Sequence, residues 1–159
     1  MSGSSPSKPL PKLENVRIAI VRALWNGDIT SKLCESARKV LYGAGVPKND
    51  VEVFEVPGAV ELTFGASQLI ESSQFDAVIV FGCVVRGDTP HFDYVCQSVT
   101  QGITYLNSDC DIPVIFGVLT VDRVEDAIER TGGKAGDKGV EAAETALMMI
   151  DFVRKVRDL

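Results

Sequence analysis

The chain has 159 residues, of which 45% are hydrophobic and 24% charged, and its formal net charge at pH 7 is −6. A chain of this length can fold as one domain that buries roughly 70% of its unfolded surface. The acidic balance and the lack of a basic stretch argue against a nucleic-acid or membrane-surface protein, but they allow a phosphorylated small molecule as ligand, which needs only a local cluster of donors.

The N-terminal part of the chain predicts an arm, then a strand and a helix. Residues 1–12 (MSGSSPSKPLPK) are rich in Ser and Pro and are expected to form a flexible arm, which leaves residues 13–159 as a single α/β domain. Val16–Arg22 predicts a strand. Asp28–Tyr42 predicts a helix with Asp28 as its N-cap. Its apolar face is expected to consist of Ile29, Leu33, Ala37, Val40 and Leu41.

The middle of the chain predicts two further strands, each followed by a helix. Val51–Val56 predicts the second strand, and a helix is expected over about Ala59–Ser72. Ala77–Val85 (AVIVFGCVV) is apolar on both faces, which is typical of a central strand in a parallel sheet. A helix is then predicted from Pro90 to about Leu106. Its buried residues are expected to be Phe92, Val95, Val99, Ile103 and Leu106.

The C-terminal part predicts a fourth strand and two helices. The strand is expected over Val114–Leu119. Asp122 with Glu125 resembles a capping box and predicts a short helix that ends near Arg130. The glycine-rich segment TGGKAGDKG leads into a last helix. Its buried residues are expected to be Val140, Ala143, Leu147 and Ile150.

This alternation of strands and helices predicts a fold class: a three-layer α/β sandwich with a central four-stranded parallel sheet, of the flavodoxin-like kind. Folds of this class bind ligands beyond the carboxyl ends of their strands. Trp25 and Asn26 follow the first strand, Glu61 follows the second, and Phe116 and Gly117 are expected at the end of the fourth. Two of these residues have a structural alternative: Trp25 could be a lid over the core, and Glu61 a helix-start carboxylate.

The segment after the third strand, RGDTPHFDY, is a candidate anion site. Gly87 allows close backbone approach, Thr89 is a predicted N-cap, and Pro90 fits the first helical position. Unpaired amide hydrogens at such a helix start favour an anion, so phosphate is the predicted guest. A capped helix with nothing bound explains the same residues.

Three ionisable side chains are candidates for the chemistry. His91 is the only histidine, and the nearby helix start favours the uncharged imidazole, which can accept and return a proton near neutral pH. The alternative is a surface or capping histidine. Arg130 and Lys138 flank the glycine-rich segment and either hold a phosphate or are solvated helix ends.

The four cysteines, at positions 34, 83, 96 and 110, form no C-x-x-C pair, so no metal site is expected. Cys83 and Cys96 lie in apolar patterns and are predicted to be buried free thiols. We find no signal peptide and no apolar segment of transmembrane length, so a reducing, cytoplasmic location is expected. A dinucleotide fingerprint, a P-loop and a G-x-S-x-G elbow are also missing from the sequence.

Taken with these candidates, five stretches of the chain resemble the 6,7-dimethyl-8-ribityllumazine synthase family. The resemblance runs from about Val16 to the C-terminus. Its most specific pieces are Trp25-Asn26, "VPGAVEL", "VVRGDTPHFDYV", "PVIFGVLT" and "AIERTGGKAGDKGVEAA".

The resemblance implies an activity and a set of site residues. Family members condense a ribitylaminopyrimidinedione with 3,4-dihydroxy-2-butanone 4-phosphate, release phosphate and water, and use neither a metal nor an organic cofactor. It implies His91 as the acid–base residue and Asp88, Thr89 and Arg130 as phosphate ligands, with Trp25 stacking on the pyrimidine. The substrate-binding positions it implies are Trp25, Asn26, Ala59, Val60, Glu61, Cys83, Val84, Val85, Phe116 and Lys138.

The resemblance also implies a homo-oligomer, in which Phe116 completes the site of a neighbouring subunit. Family members form pentamers, often assembled into hollow sixty-subunit shells. Thr63 and Asp137 depart from the proline and asparagine common at these positions, and Asp137 lies in a turn associated with the choice between pentamer and shell. A non-catalytic flavin-binding or shell-forming relative and an unrelated flavodoxin-like FMN protein are the competing interpretations.

Overall fold

Four parallel strands form the centre of the molecule in the computed structural model, which describes residues 9–159. The strands are β1 (Ile18–Ala23), β2 (Val51–Val56), β3 (Ala77–Val85) and β4 (Val114–Val121). Their order across the sheet is β2-β1-β3-β4, so β1 and β3 are the inner strands. The predicted three-layer α/β class with a four-stranded parallel sheet is confirmed.

Helices cover both faces of this sheet. They are α1 (Gly27–Gly43), α2 (Leu62–Glu71), α3 (His91–Asp109), α4 (Val124–Ile128) and α5 (Lys138–Arg157), with a 3-10 turn at Lys48–Asp50. One apolar cluster joins the sheet to α1 and α5, and a second joins it to α2 and α3. Among residues 9–159, no helix combines the length and the apolar character that a membrane span requires.

The inner strands are apolar on both faces because each face meets a helix layer. Along β1, Ile18 and Ile20 join the cluster with α1 and α5, whereas Ala19 and Val21 join the cluster with α2 and α3. Successive side chains of a strand point to opposite faces, so a strand covered on both sides has an uninterrupted apolar sequence. The same rule explains the run over β3, where the first seven residues are buried.

The glycine-rich segment forms a small hairpin that the sequence did not predict. Its strands are β5 (Thr131–Gly133) and β6 (Gly136–Asp137), which pair antiparallel. Asp137 ends the hairpin and caps α5, because its Oδ1 accepts hydrogen bonds from the amides of Gly139 (2.8 Å) and Val140 (3.2 Å). Its Oδ2 accepts a hydrogen bond from Ser36 Oγ at 2.7 Å, which ties the hairpin to α1.

Two predicted N-caps are wrong. The cap of α1 is Asn26, in a left-handed conformation with φ 55°, and Asp28 lies in the first turn. The cap of α3 is Pro90, not Thr89, and the helix begins at His91. Neither Asn26 nor Pro90 accepts a hydrogen bond from a helix amide through its side chain. The general preference for Asp and Thr as N-cap residues therefore predicted the wrong positions.

The region around the fourth strand also differs from the prediction. The strand continues to Val121, so Phe116 lies in its first half and not at its end. The N-cap of α4 is Arg123. The carboxylate of Asp122 instead accepts a hydrogen bond from Arg86 Nε at 2.7 Å, so it is not available to cap the helix.

Several residues predicted to be buried are only half-buried, namely Val40, Phe92, Val95, Cys96, Leu106 and Val140. On α3 only Val99 and Ile103 are fully buried, because the first turns of that helix border a cleft. Residues 1–8 of the predicted arm lie outside the described residues. Leu10 and Leu13 pack against the cluster of α1 and α5.

Candidate active site

A cleft of about 340 Å³ opens at the carboxyl ends of β1, β2 and β3. We call it the Trp25 cleft. It is lined by Trp25, Asn26, Gly58, Ala59, Val60, Glu61, Cys83, Val84, Val85, Gly87, Thr89, His91, Phe92 and Val95. Ten of the fourteen positions proposed from the sequence therefore come together here, at the edge of the sheet where parallel α/β folds bind ligands.

The wall that carries Trp25 is held by the backbone of its neighbours. The Trp25 amide donates to Pro57 O at 3.1 Å, and Asn26 Nδ2 donates to Cys83 O at 2.8 Å. Asparagine tolerates the left-handed backbone that this turn requires. Trp25 itself is 76% exposed, so its indole is a free face at the cleft and not a lid over the core.

Glu61 and Gly58 line the cleft next to each other. A Cβ at position 58 would lie 3.0 Å from Glu61 Oε2 and 3.9 Å from Trp25 Cδ1. The lack of a side chain at Gly58 therefore lets the carboxylate and the indole lie close to the same backbone. Glu61 is exposed, so this carboxylate is available to accept hydrogen bonds from a hydroxylated ligand.

The end of β3 supplies the floor of the cleft. Cys83 is buried, and burial raises the pKa of its thiol to about 11. The thiol is therefore neutral at pH 7 and is not a nucleophile. Val84 and Val85 are half-buried, and what these three residues offer a ligand is an apolar surface and backbone groups.

The 87–91 segment closes the cleft on its remaining side. Thr89 and His91 are exposed and line it, whereas Asp88 is exposed but lines neither of the clefts described here. An imidazole, a hydroxyl and the start of α3 therefore line the same cleft as the Trp25 indole. That combination suits an anionic ligand with a flat ring.

Phe116, Arg130 and Lys138 lie in a second cleft of about 870 Å³, which we call the Arg130 cleft. Its lining residues are Phe116, Val118, Leu119, Thr120, Val121, Asp126, Glu129, Arg130, Lys134, Ala135 and Lys138. None of these residues lines the Trp25 cleft. The sequence predicted that His91, Trp25 and Arg130 gather at one edge of the sheet. In the structure they lie on two surfaces of the chain, His91 and Trp25 in one cleft and Arg130 in the other.

Glu141 pairs with two of the three cations that line the Arg130 cleft, Arg130 and Lys138. Its two carboxylate oxygens accept hydrogen bonds from Arg130 Nη1 and Nη2 at 3.0 Å each, and Lys138 Nζ lies 3.4 Å away. Arg130 Nη1 also donates to the carbonyl of Ala135 in the hairpin. A forked pair of this kind fixes the plane of the guanidinium.

Partial burial acts to raise the pKa of the Glu141 carboxyl, but the Arg130 guanidinium and the Lys138 ammonium outweigh it, and the pKa is lowered. The carboxylate therefore stays ionised, and the pair with Arg130 persists, throughout the neutral range. Glu141 gave no functional signal in the sequence, because an acidic residue in the first turn of a helix is expected there for the helix dipole alone.

Phe92 and Arg86 are two further residues that the sequence analysis did not assign to the site. Phe92 was expected in the core because of its helical spacing, but its ring lines the Trp25 cleft with Arg86 Cζ 4.2 Å from its centroid. Spacing alone cannot separate a core position from a cleft position in the first turn of a helix. Within residues 9–159, no group of three or more His, Cys, Asp or Glu side chains is placed to hold a metal ion.

Comparison with known proteins shows the family. Residues 15–154 match the family described as 6,7-dimethyl-8-ribityllumazine synthase. A protein of that name from Parabacteroides distasonis is 54% identical over 143 residues, which cover 90% of this chain and 89% of that protein. Proteins of the same name from Phocaeicola vulgatus and Porphyromonas gingivalis are 50% and 52% identical, over 93% and 91% of this chain and 88% and 90% of their own lengths. This chain therefore belongs to the 6,7-dimethyl-8-ribityllumazine synthase family.

Proposed function

We propose that the protein condenses 5-amino-6-(D-ribitylamino)pyrimidinedione with 3,4-dihydroxy-2-butanone 4-phosphate to give 6,7-dimethyl-8-ribityllumazine, phosphate and water, a step of riboflavin biosynthesis. The observation that carries this proposal is the Trp25 cleft, which an exposed indole, an imidazole and a helix start line together. Family membership over residues 15–154 supports the same reaction.

The pyrimidine ring is assigned to the indole face of Trp25. Aromatic stacking needs a ring with one free face, which the exposed indole has. Val84 and Val85, with the backbone of Cys83, contact the other edge of the pyrimidine, and Asn26 keeps this edge in place through its bond to Cys83 O. Ala59, Val60 and Glu61 then face the ribityl chain, whose hydroxyls pair with the exposed carboxylate.

His91 is assigned the proton transfers of the reaction. The pyrimidine amine attacks the ketone, water leaves as the imine forms, phosphate is eliminated, and the ring closes with loss of a second water. Each step moves a proton between nitrogen, carbon and oxygen atoms, and an imidazole at the cleft can accept and return it. Holding two substrates against each other supplies much of the remaining acceleration.

The phosphate is assigned to two surfaces. Thr89 contributes donors from the Trp25 cleft, the backbone of the adjacent Asp88 contributes a further donor from beside it, and Arg130 contributes charge. Because Arg130, Lys138 and Phe116 line a different cleft, we assign all three to a neighbouring copy of the chain, whose Arg130 cleft faces this Trp25 cleft.

This assignment requires a homo-oligomer, and we propose a pentamer, with assembly into a sixty-subunit shell as the larger form. The chain carries exposed aromatic side chains of the size that interfaces cover: Phe64 is 69% exposed, Tyr94 69% and Tyr105 66%.

We also propose a cytoplasmic location, which is supported by the presence of all four cysteines as unpaired thiols.

The direct test mixes the purified protein with both substrates and records the absorbance of the lumazine product together with released phosphate. We expect both to rise in a one-to-one ratio at a rate above that of the uncatalysed condensation. A rate equal to the uncatalysed one would contradict the proposal and favour a flavin-binding relative without turnover.

Riboflavin, a flat-ring analogue of the product, is expected to quench the emission of the single tryptophan. Trp25 is exposed, so stacking on a ligand both quenches it and removes it from water. The measurement is a fluorescence titration, corrected for riboflavin absorption with free N-acetyltryptophanamide. Binding seen by calorimetry with no change in tryptophan emission would remove Trp25 from the site.

A further inference from the structure

Arg86 connects three parts of the structure around the Trp25 cleft. It follows β3 directly, and its backbone amide donates to Val121 O at 2.9 Å, which extends the pairing of β3 with β4. Its side chain then turns over the start of α3. Nε donates to Asp122 Oδ1 at 2.7 Å, and Nη1 donates to Asp93 Oδ1 at 3.2 Å.

The same guanidinium stacks on a residue of the cleft wall. Arg86 Cζ lies 4.2 Å from the centroid of the Phe92 ring, well inside the distance at which a cation is attracted to an aromatic face. Phe92 lines the Trp25 cleft next to His91. Arg86 therefore contacts two side chains in the first turn of α3, those of Phe92 and Asp93.

Single ion pairs at this exposure contribute little, because solvent screens them. The side chain of Arg86 is 45% exposed, and those of Asp93 and Asp122 are 64% and 73% exposed. Here, however, one planar group makes two ion pairs and a ring contact at once. A network of this geometry restrains orientation more effectively than separate pairs.

We propose that Arg86 is a positioning residue, which holds the 87–91 segment and the first turn of α3 so that their amides and His91 meet the phosphorylated substrate. The expected effect of Arg86 on kinetics rests on the proposed function. Its expected effect on the order of the 87–91 segment does not depend on that function. Arg86 does not line the Trp25 cleft, and it acts on the cleft through its contacts with Phe92, Asp93 and Asp122.

The experiment compares Arg86→Gln with Arg38→Gln. Arg38 is a matched control, because its guanidinium also stacks on a ring, that of Tyr42 at 5.6 Å, and donates to the Tyr42 hydroxyl, within α1. For Arg86→Gln we expect the KM for the butanone phosphate to rise about tenfold. The KM for the pyrimidine and the thermal unfolding midpoint should match those of Arg38→Gln.

The Asp122→Asn variant distinguishes a positioning role of Arg86 from a purely electrostatic one. This change removes a negative charge near the segment, so a purely electrostatic role of Arg86 predicts unchanged or tighter binding of inorganic phosphate as a competitive inhibitor. Positioning predicts weaker phosphate binding in Asp122→Asn. It also predicts that the double variant binds phosphate no more weakly than Arg86→Gln alone, because Asp122 acts only through its contact with Arg86.

Hydrogen exchange of the intact oligomer makes the test independent of turnover. The amides of residues 87–93 are expected to exchange faster in Arg86→Gln than in the unchanged protein and in Arg38→Gln. If exchange in that segment is unchanged, Arg86 does not position it. If exchange rises while the unchanged protein makes no lumazine, the proposed function fails and the positioning role of Arg86 stands. Equal rises in both KM values would assign Arg86 a general structural role and overturn the proposal.

Discussion

Co-assembly of His91→Ala chains with Arg130→Ala chains is expected to restore activity that neither variant has alone. His91 lines the Trp25 cleft and Arg130 lines the other cleft, and no residue is common to the two linings. If each active site joins the Trp25 cleft of one subunit to the Arg130 cleft of the next, a mixed ring contains sites in which both residues are intact.

The expected size of the effect follows from counting interfaces. When the two variants are mixed equally and at random, about a quarter of the interfaces in a closed ring pair an intact His91 with an intact Arg130. Each variant alone is expected to lose at least about tenfold in kcat/KM, since a proton-transfer group or a charge-assisted phosphate contact is removed. The measurement is lumazine formation after the two chains are unfolded, mixed and refolded together.

His91→Ala mixed with Trp25→Ala is the matched control. Both changes affect the Trp25 cleft, so every interface in that mixture carries one defect and no activity should return. Recovery in the control mixture, or none in the first mixture, would show that His91 and Arg130 do not act across a subunit boundary. Arg130→Ala alone should raise the KM for the butanone phosphate far more than that for the pyrimidine.

The fold was predictable because its signals are local. Two inner strands covered on both faces have uninterrupted apolar sequences, and the helices between strands show the spacing of one buried face. The hairpin of β5 and β6 gave no such signal, because strands of three and two residues are too short to show a period. The caps at Asn26 and Pro90 were missed since neither uses a side-chain hydrogen bond.

The residues that line the Trp25 cleft were predictable, and the resemblance already assigned Phe116 to the site of a neighbouring subunit. The separation of Arg130 and Lys138 from that cleft was not predictable. Trp25, Glu61 and His91 follow three strands whose carboxyl ends meet at one sheet edge, and that rule placed them together. Phe116 looked like a strand-end residue only because β4 was predicted to end too early. The orientation of Arg130 depends on its forked pair with Glu141, a contact across the hairpin that no spacing rule predicts.

Helices α1 and α5 approach each other closely at Gly139, in the first turn of α5. A Cβ there would lie 2.1 Å from Leu33 O and 2.9 Å from Leu33 C, both backbone atoms of α1. No rotamer change can relieve a clash with a carbonyl group of a neighbouring helix. The two helices share one apolar cluster with the sheet, so a shift of either helix also opens the core.

Gly139→Ala is therefore expected to lower the free energy of unfolding by at least about 3 kcal/mol, because overpacking against backbone forces a rearrangement of the core. Gly27→Ala, in the first turn of α1, is the matched control: a Cβ there meets nothing within 4 Å, and removing glycine from a helix stabilises it by roughly 0.5–1 kcal/mol. Urea unfolding of both variants measures the difference. Equal stabilities would mean that α1 and α5 can separate without cost, which would contradict the tight packing that orients Lys138 and Asp137 at the start of α5.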